Sequence, residues 1–458
     1  MTNWIILKFG GSSVADPNLW QTIKAQVELQ QALGKRPVLV LSALKNVSNL
    51  LEALLHQALS GVHETAITHL RELHSTFASQ IGLDGNRLLE PWFEQLAAFC
   101  DDIYQQEQIS PASHAKVVAL GELMSSTLGA AYLQQHNLPA NWCDIREVLL
   151  ANNSMDDPWH HFTSNQCGYS EDSDLQSQWS QTEDIVVTQG FIARDELNQT
   201  VLLGREGSDT SACYLGAKLA AEKIEIWTDV PGVFTFNPRI NADALQISYL
   251  DYRQATVLAT AGAKVIHPRA LQPAHSKHIP IIIKSTALPD NPGSIISTDK
   301  GDTQEALAMA IESNLVQVIA QEQSVVDKIL IPAGFDRVNL FKDTTLGGLY
   351  LYTNTEMKQP DVESLLTSLG KVEVRYQQSL ITILGSTTND HWINETVEHV
   401  KYQWFDKINS YQILPADGLI GFLIDDAFAN QMCEQLHNGL IEHQVNDSCY
   451  GLSWREFI

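Results

Sequence analysis

At 458 residues, with 44% hydrophobic and 18% charged positions, the chain is too long for one core and too apolar for a disordered protein. Its 54 acidic against 29 basic residues give a formal charge of −25, a surface field that argues against nucleic acid and anionic lipid as partners. The same field repels anionic substrates, so a phosphate or carboxylate site has to be built from isolated Lys and Arg residues and backbone N–H groups.

Six cysteines (Cys100, Cys143, Cys167, Cys213, Cys433, Cys449) show no CxxC spacing and no disulfide density, as in a reducing compartment. The N-terminal apolar stretch is too short for a secretory signal, and nowhere do eighteen apolar residues run together. A cytoplasmic protein is expected.

In chain order, the run from Trp4 to Phe9 ends at Gly10-Gly11, a helix follows from Pro17 to Leu33, and Val38 to Leu41 is a second apolar run. Apolar strands alternating with amphipathic helices predict a parallel sheet covered on both faces, with ligands at the carboxyl ends of its strands. Residues from Asn49 to about His136 read mostly as helix, and Asn152 to Ser180 reads as a polar, irregular, exposed excursion with no function of its own. Ile185 to Val187 and Thr200 to Leu203 are further strands. GREGSDTSA then opens a helix to about Ala221, and Ile224 to Trp227 is a strand ending in the turn TDVPG. Helices around Tyr252 to Ala261 and Pro268 to Ser276 precede a strand from Ile279 to Lys284, and the turn Pro289 to Gly293 closes the first domain. Beyond about Thr303 the texture changes to short strands and helices whose number fits two small α+β units.

Four strand-end clusters could carry chemistry. Lys8-Phe9-Gly10-Gly11 offers a cation and bare backbone in a turn entering a helix, where an anion is favoured; alone, such a turn often only satisfies geometry, and it is not a GxxxxGK[ST] loop. Gly204 to Asp209 repeats the pattern, with Arg205 as a carboxylate fork and Ser208 or Asp209 able to cap the next helix. Thr228-Asp229 with Asn237-Pro238-Arg239 is the third, and Lys264 the fourth. His267 reads as a structural histidine. Their joint occurrence matters most, because the topology of such a sheet can bring four such loops to one edge.

On its motifs the chain resembles aspartate kinases of the amino acid kinase family. KFGGSSV (Lys8 to Val14), SALKNVSNLL (Ser42 to Leu51), GELMSS (Gly121 to Ser126), VTQGFIA (Val187 to Ala193), GREGSDTSA (Gly204 to Ala212), WTDVPGVFTFNPR (Trp227 to Arg239) and GAKVIHP (Gly262 to Pro268) occur in the family's order. The resemblance implies an α/β amino acid kinase fold, an open, mainly parallel sheet in an αβα sandwich over residues 1–298. Two ACT-like, ferredoxin-like α+β domains would follow over about 303–378 and 379–458. It implies transfer of the ATP γ-phosphoryl group to the side-chain carboxylate of L-aspartate, with ATP and Mg2+ as cofactors and a homodimer as the assembly. Carried over by motif, Lys8, Asp209 and Lys264 would be catalytic, with Asp209 holding the catalytic cations in place. Gly10, Gly11, Thr228, Asp229, Phe234 and Arg239 would join Lys8 and Lys264 around the nucleotide, and Ser48, Glu122, Arg205 and Ser208 would hold the amino acid. No protein metal ligand set is implied.

Glu206 stands where the family commonly has glycine, Lys45 in a loop usually made of small residues, Asn237 for a frequent Asp and Phe234 for a frequent Tyr. Glu206 matters most, since a carboxylate beside a phosphate site is repulsive unless it points away or meets a cation. Between about Val318 and Asp343 the glycine-containing loop and long helix of an ACT effector site are not found, so an amino-acid effector is left open and the tail is expected to serve mainly dimerisation. The alternatives are a kinase of this fold acting on another acidic substrate, such as glutamate or N-acetylglutamate, and a catalytically weak amino-acid sensor.

Overall fold

A computed structural model describes residues 3–152, 157–182, 184–263, 266–298, 308–320, 322–330, 335–343, 349–354, 362–369, 372–385, 391–414, 418–441 and 449–457. The chain forms two compact units: Met1–Gly232 with Ile266–Asp299, and Val233–Val265 with Lys300–Ile458.

In the first unit the sheet runs in the order Ser294–Ser297, Ile281–Ser285, Lys223–Thr228, Trp4–Phe9, Arg36–Leu41, Ile185–Gln189, Ala140–Cys143. Every neighbouring pair is parallel except the first, where Ser294–Ser297 turns back against Ile281–Ser285. All six residues of the central strand Trp4–Phe9 are buried, as a strand covered on both faces requires. The strand therefore carries Lys8 into a dry interior with no side-chain freedom to spare.

Helix Pro111–Gln135 is buried on nearly all sides, which is why its sequence lacks a polar stripe. Ser110 starts it, accepting the Ser113 N–H, with Pro111 in the first turn. Its inner face presents Ser126, whose hydroxyl accepts Trp142 Nε1 and Gln189 Nε2, each at 3.0 Å. Those bonds tie the helix to the ends of two sheet strands and fix the height of Glu122 one turn earlier.

The excursion from Asn152 to Ser180 differs from the sequence reading. It contains helices Pro158–Thr163 and Ser173–Trp179, and buries His161, Asn165, Cys167, Leu175 and Trp179. Its buried polar groups find partners: Asn165 Nδ2 reaches His161 Nδ1 at 3.1 Å, and His161 Nε2 faces Asp195, beyond the segment, at 3.4 Å. Composition alone could not show that these polar groups satisfy one another.

The second unit is built on an antiparallel sheet in the order Phe335–Asp343, Leu349–Asn354, Ala308–Ile319, Glu373–Leu384, Leu419–Asp425, Ile408–Leu414. Sequence reading gave shorter pieces here. The strands Ala308–Ile319 and Glu373–Leu384 are each 12 residues long and pair along their length, so two α+β halves share one sheet. Each half keeps its own core: Val316, Val318, Val326, Phe335 and Tyr352 in one, Ile381, Ile383, Phe422, Met432 and Leu436 in the other. This arrangement is consistent with ACT-like domains.

His437 lies fully buried in the second of these cores, its Nε2 bonded to Thr235 Oγ1 at 2.9 Å. Burial lowers its pKa from 6.5 to about 4, against smaller upward pulls from Asn438 and Asp243. Between those values the unfolded chain binds a proton that the folded one does not. The stability contributed by neutral His437 is therefore complete above pH 6.5 and is lost as pH falls toward 4, by roughly 3 kcal/mol in the limit. Urea unfolding of the His437→Gln variant at pH 7.5, 5.5 and 4.5 should show a shallower loss than the unsubstituted chain; identical slopes would exclude the effect.

Candidate active site

Lys8 and Asp209 meet at the carboxyl end of the central strand. Lys8 Nζ stands 2.5 Å from the Asp209 carboxylate, and both side chains are less than 10% exposed. Lys8 comes from the strand Trp4–Phe9, and Asp209 from the first turn of helix Gly207–Lys218. A buried cation and anion in contact offset each other, and a phosphate entering here would meet a lysine already held in place.

Gly10 and Gly11 follow immediately. The Gly10 N–H bonds to the Trp227 carbonyl at 2.9 Å, pinning the turn to the neighbouring strand. A Cβ at Gly11 would lie 2.9 Å from the Ala43 carbonyl oxygen, so only glycine lets the first turn sit against the loop after Arg36–Leu41. Ser48 lies in the first turn of the helix that this loop enters, Val47–Leu59.

Glu122 is 4% exposed, and its Oε2 has no hydrogen-bond partner. Burial pushes its pKa up to about 8, opposed by the Ala43 backbone N–H and by the charge of Lys8. A carboxyl held dry and half satisfied in this way is a receptor for a ligand's ammonium group.

Gly204, with φ +78°, ends the run from Thr200–Leu202, and Arg205 follows it on the exposed side of the turn. Ser208 is buried, beside Gly190 at the end of another strand. Neither Ser208 nor Asp209 caps the helix, contrary to the sequence reading. The cap position belongs to Glu206, at φ 51°, ψ 32°, with no side-chain capping bond. Left-handed backbone explains why glycine suits this position, and Glu206 bears strain there. Desolvation, then the charge of Asp209, raises the Glu206 pKa, while Lys8 and Arg205 pull it down.

Thr228 and Asp229 leave the end of Lys223–Thr228, with Thr228 Oγ1 donating to Asp229 at 3.2 Å. The structure thus places Lys8, Gly10, Gly11, Ser48, Arg205, Ser208, Asp209, Thr228 and Asp229 in the first unit, on strands, turns and helix starts, and Glu122 in the same unit, midway along helix Pro111–Gln135. Phe234 and Arg239 belong to the second unit, where Phe234 packs edge-on against Trp454 and Phe457 and Arg239 is exposed. Lys264 lies outside the described residues.

His267 has the structural role read from the sequence, whereas Arg269 was missed. His267 caps helix Pro268–Ser276, its Nδ1 accepting the Arg269 N–H at 3.2 Å, which places the remaining ring proton on Nε2. Burial, then the charges of Arg269 and Arg205, keeps its pKa low. Arg269 itself packs against Gly204. The only available signal for Arg269 was its place directly after the GAKVIHP motif.

Among the described residues no three His, Cys, Asp or Glu side chains form a metal cage. Asp209 lies near enough to Glu206 for its charge to raise the Glu206 pKa.

The chain is similar, at 28% identity over 96% of its length and the whole of the relative, to the lysine-sensitive aspartokinase 3 of Escherichia coli (strain K12). Its structure is similar to crystal structures of E. coli aspartokinase III. The complex with aspartate and ADP (R-state) gives TM-score 0.79 at 26% identity, covering 95% of this chain and 99% of that one. The complex with lysine and aspartate (T-state) gives TM-score 0.76 at 25% identity, covering 96% and 100%. The model of the amino acid kinase family matches residues 3–285, well over half the sequence, and on that match the chain belongs to the amino acid kinase family.

Proposed function

We propose that the chain is an aspartate kinase, transferring the γ-phosphoryl group of ATP to the side-chain carboxylate of L-aspartate to give 4-phospho-L-aspartate and ADP. The observation that carries this reading is the buried Lys8–Asp209 pair at a strand end, in the same unit as a dry, half-satisfied Glu122. The relatives named above point the same way: one is an aspartokinase, and its solved structure holds aspartate and ADP.

A carboxylate is already a nucleophile, so the site needs no general base; it needs two anions brought together. Lys8 offsets their repulsion at the transferring phosphoryl group, and Gly10 and Gly11 leave that path open; the same role is proposed for Lys264 on its motif alone. Asp209 holds the Lys8 ammonium in position. Glu122 receives the substrate ammonium and Arg205 forks a carboxylate, with Ser48 and Ser208 closing the polar shell. Thr228 and Asp229 are the remaining nucleotide contacts of the first unit in this reading. Mg2+ would enter on the ATP phosphates, where Asp209 and Glu206 are carboxylates that could meet it, and would supply charge neutralisation.

An amino-acid effector acting through the second unit, a homodimer and a cytoplasmic location complete the reading. All six cysteines are free, and among the described residues no helix is long and apolar enough to cross a membrane. A coupled ADP-release assay with aspartate, glutamate and N-acetylglutamate should show turnover with aspartate well above the other two. Equal or greater turnover with either competitor would overturn the assignment. Repeating it with lysine, threonine and methionine tests for the effector.

A further inference from the structure

Arg269 and Ser164 are 105 residues apart in sequence and meet against Gly204. Arg269 Nη1 donates to Ser164 Oγ at 2.5 Å and to the Ser164 carbonyl at 3.3 Å. A Cβ at Gly204 would lie 2.8 Å from Ser164 Oγ and 3.5 Å from Arg269 Nη1, so this contact presses on the left-handed residue that launches Arg205.

The Ser164 side of the contact is stiff. Ser164 bridges to Leu203, and the Asn165 N–H bonds to the Leu202 carbonyl at 2.9 Å, so the segment lies along the run that ends at Gly204. Behind it, Asn165 Nδ2 donates to the His161 carbonyl at 2.9 Å and Asn165 Oδ1 accepts the Gln166 N–H at 2.7 Å. Arg269 is equally constrained, being in the first turn of helix Pro268–Ser276, which packs along helix Gly207–Lys218. A staple needed only to hold the excursion in place would not have to sit on Gly204, the left-handed residue that immediately precedes Arg205.

We propose that Arg269 is a positioning residue for the amino-acid subsite: its guanidinium clamps Ser164 over Gly204 and so fixes the direction in which Arg205 leaves the turn. This rests on the assignment of Arg205 to the substrate carboxylate. The clamp restricts Arg205 to the orientation that receives the amino acid, and its loss spreads that side chain over several. The consequence falls on aspartate rather than on nucleotide.

Steady-state kinetics and amide hydrogen exchange on the full chain test it. Arg269→Ala should raise the KM for aspartate about tenfold while the KM for ATP stays within about twofold, since a small displacement of a clamping group is costly to positioning. Arg269→Lys should restore part of the loss, and Ser164→Ala combined with Arg269→Ala should be no worse than Arg269→Ala alone. Exchange of the amides of residues 204–209 should accelerate in Arg269→Ala, with the sheet unchanged. The proposal is overturned if Arg269→Ala leaves both the aspartate KM and that exchange unchanged, or weakens both substrates alike with a general loss of thermal stability. If the unsubstituted chain forms no ADP with aspartate, the proposed function fails instead, and the exchange comparison still decides whether the clamp exists.

Discussion

Replacing Lys8 by Ala should lower turnover by about 10² to 10³ while leaving the KM for aspartate nearly unchanged, because the lysine acts on charge that develops during transfer. The substitution also strands Asp209, which is 5% exposed and would then carry a buried, unpaired charge. Breaking such a pair from one side typically costs roughly 3 to 5 kcal/mol, so Lys8→Ala alone could lose activity by unfolding. The double variant Lys8→Ala with Asp209→Asn separates the two effects. It should recover most of the thermal stability and none of the turnover. Near-normal turnover in either variant would remove Lys8 from the mechanism.

Glu122 gives the second large effect, and its sign follows from its pKa. With a folded value of about 8 against an ordinary 4.5, the free site holds a proton across the neutral range. Between those values the folded chain binds a proton that the unfolded chain has released, so this group's contribution to stability falls as pH rises from 4.5 to 8. An arriving ammonium favours the ionised carboxylate and expels that proton. Titration calorimetry at pH 7 in buffers of different ionisation enthalpy should therefore detect proton release approaching about one per site. The KM for aspartate should fall as pH is raised from 6 toward 8, by up to about tenfold per unit. Glu122→Gln should abolish both the release and the slope and raise the KM by about 10- to 100-fold, the range for losing a charged hydrogen-bond partner. Binding with no proton release would place the ammonium elsewhere.

The parallel sheet and its strand-end loops were legible because uninterrupted apolar runs such as Trp4 to Leu7 and Val38 to Leu41 leave little choice of environment, and Gly10-Gly11 after the first strand mark where backbone is left bare. Glu206 was visible as an odd residue, but its meaning was not: only backbone angles reveal that the position is left-handed. The contact between Ser164 and Arg269 was invisible for a different reason, since nothing local in either segment encodes a partner 105 residues away. In the second unit, a sequence reading in short strands missed the continuity of Ala308–Ile319, because Glu312, Ser313 and Asn314 interrupt the apolar pattern at an irregular register in the pairing with Glu373–Leu384.

The stretch Val233–Val265 sits in mid-sequence yet belongs to the second unit, where Phe234, Phe236, Ala244 and Leu245 share a core with Trp392, Phe422 and Met432. Its strand Leu245–Ile247 pairs with Tyr450–Ser453, almost at the carboxyl terminus. A ribosome adding residues at ordinary speed would need roughly 10 to 40 seconds to deliver that partner. Throughout synthesis the nascent chain holds these aromatic side chains without their core, a standing invitation to chaperones, and any product terminated after residue 298 would keep them uncovered permanently.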